Sequence, residues 1–154
     1  MICALIRWCR SLPLSQTSVV QNFRRLRVWK RAQGLAVAVR TEASGFPQRG
    51  FSDLRGQMVR AAESVFFNIG EGCGAESARE FARFLSISSK STMELESQLE
   101  LAKAYGIISP EASLQLAAEV STVRRMIWGL RTKVLASSDV PKTETGKRKT
   151  ENAQ

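Results

Sequence analysis

The chain has 154 residues and a formal charge of +9, with no histidine and three cysteines. That length suits one domain with a real core. The missing histidine removes the commonest general base and the commonest metal ligand, and Cys3, Cys9 and Cys73 have neither zinc-like nor redox spacing.

Residues 1–21 have no sustained periodicity and contain Pro13 and several Ser, Thr and Gln residues. They read as a flexible leader. Its first residues mimic a signal peptide only superficially, because Arg7 and Arg10 interrupt the apolar stretch. No apolar run reaches the roughly 18 residues needed to span a bilayer. Unpaired thiols and the lack of a span point to the cytoplasm, with no membrane partner.

The bundle proper is expected over residues 22–136. A first helix is predicted over 25–43, where Val28, Ala32, Leu35 and Val39 form a stripe at 4-3-4 spacing and Trp29, Ala36 and Val37 widen it. Gly45 is placed to cap its C-terminus, and Pro47 follows. A second helix is predicted over 53–70, with Ser52 or Asp53 as N-cap and Met58, Ala62, Val65 and Ile69 as its stripe. Gly70, Gly72 and Gly74 end it.

The third helix opens at Ser77. Ser77 and Glu80 fit a capping box, the serine oxygen accepting from the Glu80 amide and the carboxylate reaching back to the Ser77 amide. Phe81, Leu85, Ser88, Thr92, Leu95, Leu99 and Ala102 follow at 4-3-4-3-4-3 spacing, and Tyr105-Gly106 closes the run. The fourth helix starts after Ser109-Pro110 and carries Leu116, Val120, Val123, Ile127, Leu130 and Val134. Residues 137–154 are polar and read as a disordered basic tail.

Four amphipathic helices on short loops predict an all-α, antiparallel up-down-up-down four-helix bundle. Trp29, Phe66, Phe67, Phe84 and Ile87 add apolar surface beyond the stripes, which points to self-association.

No catalytic, metal or cofactor site emerges. Cys73 precedes the third helix, where a thiolate is favoured electrostatically, yet no histidine exists to act as its base. GEGCG lacks the lysine and the strand of a phosphate loop. The charge pattern is more informative. Arg24, Arg25, Arg27, Lys30 and Arg31 crowd the start of the first helix, and Arg124, Arg125, Arg131 and Lys133 the second half of the fourth. The predicted topology brings both to the end where Arg79 and Arg83 lie. A molecule basic at one end is a candidate surface for RNA or DNA. Acids on a neighbouring subunit are the competing explanation for some of these cations.

Val28-Trp29, Arg60-Ala61-Ala62, Asn68-Ile69-Gly70-Glu71-Gly72 and the run from Ser77 through Phe81 carry a resemblance. They resemble the bacterial four-helix bundle proteins first noted as reading frames in intervening sequences of 23S ribosomal RNA genes. The resemblance spans roughly residues 23–135. It implies an antiparallel subunit assembling as a homopentamer. It also implies that Asn68, Glu71, Gly72, Ser77 and Glu80 form a motif at the corner between the second and third helices. Asn68 and Glu71 are expected to tie that corner by hydrogen bonds, the alternative being a contact to a ligand or to nucleic acid. A distantly similar protein, the accessory variability determinant of diversity-generating retroelements, implies nucleic acid and a reverse transcriptase as partners. Two departures stand out: Phe66-Phe67 replaces a proline common before the Asn-Ile step, and Gly70 replaces an alanine. The expected function is a non-enzymatic oligomeric bundle that binds nucleic acid. The alternative is a structural or protein-interaction scaffold without that affinity.

Overall fold

The structure, a computed structural model, describes residues 22–138. The leader, and the tail beyond residue 138, lie outside them. A 3₁₀ turn at Phe23–Arg25 leads into α1 (Arg27–Ser44), α2 (Ser52–Gly72), α3 (Ala78–Ala104) and α4 (Pro110–Ser138), with no strand among the described residues. α2 packs on α1 and α3, α3 packs on α4, and α4 closes on α1.

The heptad stripes form the core. Ala32, Val39, Met58, Ala62, Val65, Ile69, Phe81, Leu85, Leu95, Leu99, Val120, Val123 and Ile127 are all fully buried. Each large member is worth about 1.5–3 kcal/mol of burial. The fourth stripe loses one residue, since Leu130 is only half-buried.

The helix ends differ from expectation in instructive ways. Gly45 caps α1 with a right-handed φ of −79°, so a glycine's freedom is not used there. It is used at Gly50 (φ +87°) and Gly106 (φ +68°), in the loops before α2 and α4. Neither Ser52 nor Asp53 caps α2; Phe51 occupies that position with no side-chain bond, and Asp53 sits in the first turn. There its charge suits the helix dipole. Gly70 does not stop α2, which runs on to Gly72.

Ser77 does cap α3, its Oγ accepting from the Glu80 amide at 3.1 Å. Glu80 reaches one residue further back than the capping box predicts: its Oε2 accepts from the Glu76 amide at 3.1 Å. Ser109 Oγ accepts from the Ala112 amide at 3.1 Å and opens α4. Replacing Ser77 by alanine is expected to cost about 1 kcal/mol, measurable as a lowered urea midpoint.

A hydroxyl seam joins α2 to α3. The Ser64 and Ser91 hydroxyl oxygens lie 2.9 Å apart, and buried Ser88 donates to the Val65 carbonyl at 2.8 Å. Thr92 turns its hydroxyl back to the Ser89 carbonyl at 2.6 Å. The polar members of the third stripe are therefore all satisfied, as buried polar groups must be.

Candidate nucleic-acid interface

The first turn of α3 and the last turns of α4 enclose a groove of about 540 Å³, lined by Ser77, Arg79, Glu80, Ala82, Arg83, Ser86, Arg131 and Leu135. Three of the predicted cations thus meet in one place. Arg79 and Arg83 are exposed. The Arg83 guanidinium lies over the Phe84 ring at 5.1 Å, and Arg131 Nε donates to Ser86 Oγ at 2.9 Å. None of the three forms an ion pair among the described residues. The single acid of the lining, Glu80, is engaged with the Glu76 amide. Three guanidinium groups against one carboxylate leave the groove with a net positive charge of the kind that attracts phosphates.

The other predicted cations are placed differently. Arg31 on α1 grips Glu119 on α4 with both arms, Nε to Oε1 at 2.6 Å and Nη2 to Oε2 at 2.9 Å. Those hydrogen bonds hold the Glu119 carboxyl below the usual carboxylate range and raise the Arg31 guanidinium above its own. Arg124 pairs with Glu96 and also touches Met93 Sδ. Both cations are answered within the chain, and no neighbouring subunit is needed to explain them. Arg125 donates to the Ser121 and Thr122 hydroxyls. Arg24, Arg25, Arg27, Lys30 and Lys133 are exposed but do not line the groove. Arg24 sits over the Phe23 ring at 4.7 Å.

Charge of both signs gathers at the other end of α1 as well. A second groove of about 450 Å³ is lined by Arg40, Arg55, Arg60 and Glu63, with Ala43, Ser44, Gly56 and Val59, between the end of α1 and the start of α2. Its charge is partly cancelled, because Arg40 pairs with Glu63. Sequence reading missed this groove. Its arginines are spread over two helices and share no local pattern.

The motif corner is held by packing more than by its polar side chains. Asn68 does not reach the corner: its Nδ2 donates to the Ser64 carbonyl at 2.8 Å and to Ser64 Oγ at 3.1 Å, which attaches it to the hydroxyl seam. Glu71 is exposed and its carboxylate has no partner among the described residues. Gly72 is buried where a Cβ would collide with Phe81 and Phe84. Cys73 is buried too, its thiol donating to the Ile69 carbonyl at 3.3 Å. Burial pushes that thiol up, the opposite of an activated cysteine. The protonated form is favoured by folding, so this stabilisation is complete below the ordinary thiol pKa and is lost as pH rises through the raised value. Cys73 is expected to react with a thiol reagent near neutral pH far more slowly in the native protein than in urea, as the time course of labelling would show. No cluster of three metal-ligating side chains occurs among the described residues. No helix among them is long and apolar enough to cross a membrane.

Much of the predicted oligomer surface is engaged inside the chain. Phe23 meets Trp29 at 4.9 Å, Trp29 meets Phe66 at 4.7 Å, and Phe66 meets Phe67 at 5.3 Å between ring centroids. Trp29, Phe66, Phe84 and Ile87 are half-buried, and Phe67 is 54% exposed. Trp128, which sequence reading passed over, is more open at 66%.

The 23S rRNA-intervening sequence protein family matches residues 24–129. Among solved structures, the chain is similar to a protein of unknown function from the S23 ribosomal protein family of Bacteroides thetaiotaomicron. The TM-score is 0.64 at 23% identity, covering 68% of this chain and 97% of that one. That likeness concerns the fold alone. No curated protein matches.

Proposed function

The chain belongs to the 23S rRNA-intervening sequence protein family, and from there we propose that it is a non-enzymatic, cytoplasmic, oligomeric bundle that binds nucleic acid through its arginine groove. The observation that carries this reading is the meeting of Arg79, Arg83 and Arg131 around one cavity whose lining holds a single acid. An antiparallel up-down-up-down path is part of the reading. It is supported by Trp29, early in α1, lying against Gly70, late in α2, and by Arg131, late in α4, bonding Ser86, early in α3. Assembly as a homopentamer is the number the family resemblance implies, and exposed Phe67 and Val37 offer apolar surface for it. A ring would repeat the groove in every subunit.

Binding of RNA and DNA oligonucleotides across a salt series tests the proposal. If each groove arginine takes one phosphate, log K falls against log salt with a slope of about −2 to −3. No binding at low ionic strength, or binding indifferent to salt, would overturn it. The exposed Phe67 and Val37 also favour a second reading, a scaffold for a protein such as a reverse transcriptase. A stable oligomer that captures such a protein and ignores nucleic acid would establish that reading instead.

A further inference from the structure

We propose that the α4 rim of the arginine groove holds an unpaired nucleotide strand, with Trp128 as the platform on which a base stacks. This rests on the nucleic-acid reading and goes beyond it, because it names the strand and the contact.

The starting observation is the exposure of Trp128. An indole is large and apolar and is highly buried on average, yet this one is 66% exposed on a well-formed helix. Its neighbours on that helix are cations. Arg124 and Arg125 lie one turn before it and Arg131 one turn after, at the i±3 and i±4 spacings that put side chains side by side. Arg131 lines the groove together with Arg79 and Arg83. The three-residue spacing to Arg131 sets the indole beside the positive groove, whose own lining it does not join.

The neighbouring arginines divide the work. Arg124 is neutralised by Glu96 and lies against the sulfur of Met93. Met93 is itself 54% exposed, so that side of the rim is apolar and polarisable. Arg125 spends one N–H on Ser121 and one on Thr122. Those bonds fix its guanidinium on the open face, with three of its five donors left over. A flat ring between an oriented cation and an arginine trough is the arrangement that single strands use: the backbone follows the charge and a base lies on the ring. A duplex keeps its base faces stacked inside and has none to offer. The charge around Trp128 argues for this occupant over a second copy of the chain, which is itself strongly basic at +9.

The test uses the full chain and a short single-stranded RNA. The same RNA annealed to its complement and a DNA of identical sequence serve as the other arms. Trp128→Ala is expected to weaken single-strand binding roughly tenfold or more, to leave duplex binding unchanged, and to leave the mass by light scattering unchanged. Trp128→Phe keeps a ring and is expected to restore most of the affinity. Equal weakening on RNA and DNA assigns the contact to the base; weakening on RNA alone would show the sugar to matter and would overturn simple stacking. Unchanged single-strand affinity in Trp128→Ala would overturn the inference while leaving the groove proposal standing. So would a change in oligomeric mass, which would make Trp128 a subunit contact. Failure of the wild-type protein to bind any of the three nucleic acids would overturn the groove proposal as well.

Discussion

Alanine at Gly72 is expected to lower stability by about 2 kcal/mol, while alanine at Gly70 raises it by up to about 1 kcal/mol. The two positions are two residues apart on α2, and their surroundings set opposite signs. A Cβ at Gly72 would lie 2.6 Å from Phe81 Cδ2 and 2.9 Å from both Phe81 Cε2 and Phe84 Cβ. Phe81 is fully buried, so its ring cannot swing away without disturbing the core. At Gly70 the nearest atom is Trp29 Nε1 at 3.4 Å, with Cδ1 at 3.9 Å. That is ordinary contact, and alanine is the better helix former. Urea denaturation of the two single variants checks both signs. Equal shifts would mean that glycine acts at both places through chain flexibility alone.

Removing the groove arginines together, as Arg79→Ala, Arg83→Ala and Arg131→Ala, is expected to flatten the salt dependence of nucleic-acid binding by about 2 to 3 units of slope. Low-salt affinity should fall by more than tenfold. Changing Arg31 and Arg124 to glutamine is the control, with two charges removed instead of three. It also removes positive charge, but those two side chains already pair with Glu119 and Glu96. Its slope should stay close to that of the wild type. Equal losses in the two variants would show that net charge, and not the groove, governs binding.

The contrast between these two sets of arginines shows where sequence reading stops. The stripes of α1 to α4 were legible because burial follows a period set by helix geometry alone. The Ser77 cap was legible because its partner, Glu80, is three residues away. Arg31 and Glu119 are 88 residues apart, and their pairing depends on how α1 and α4 are rotated about their own axes. No local pattern encodes that rotation. Gly72 was visible only as a helix breaker, because its real constraint is the approach of two phenylalanines from the next helix. Glu80 chose the Glu76 amide over that of Ser77, a choice between neighbouring donors that spacing alone does not make. The topology alone brings Arg79, Arg83 and Arg131 to one end, but which of the cations gathered there line a groove depends on how α3 and α4 pack. Trp128 escaped notice because exposure, unlike burial, leaves no periodic trace.

The hydroxyl seam has a consequence for alignment. A stripe that repeats every seven residues looks much the same to its neighbour after a slide of one heptad, about 10 Å along the axis. Leucines and valines would then simply meet other leucines and valines. The seam removes that ambiguity. Sliding α3 past α2 would part Ser91 from Ser64 and strip Ser88 of the Val65 carbonyl. Ser91 would keep the Ile87 carbonyl of its own helix, and Ser64 the Asn68 amide, but buried Ser88 would lose its partner, at a cost of about 1–3 kcal/mol if left unsatisfied. One alignment of the α2–α3 pair is thereby selected over its shifted copies. The arginines at the mouth of α3 inherit their position from serines about one to three turns further in.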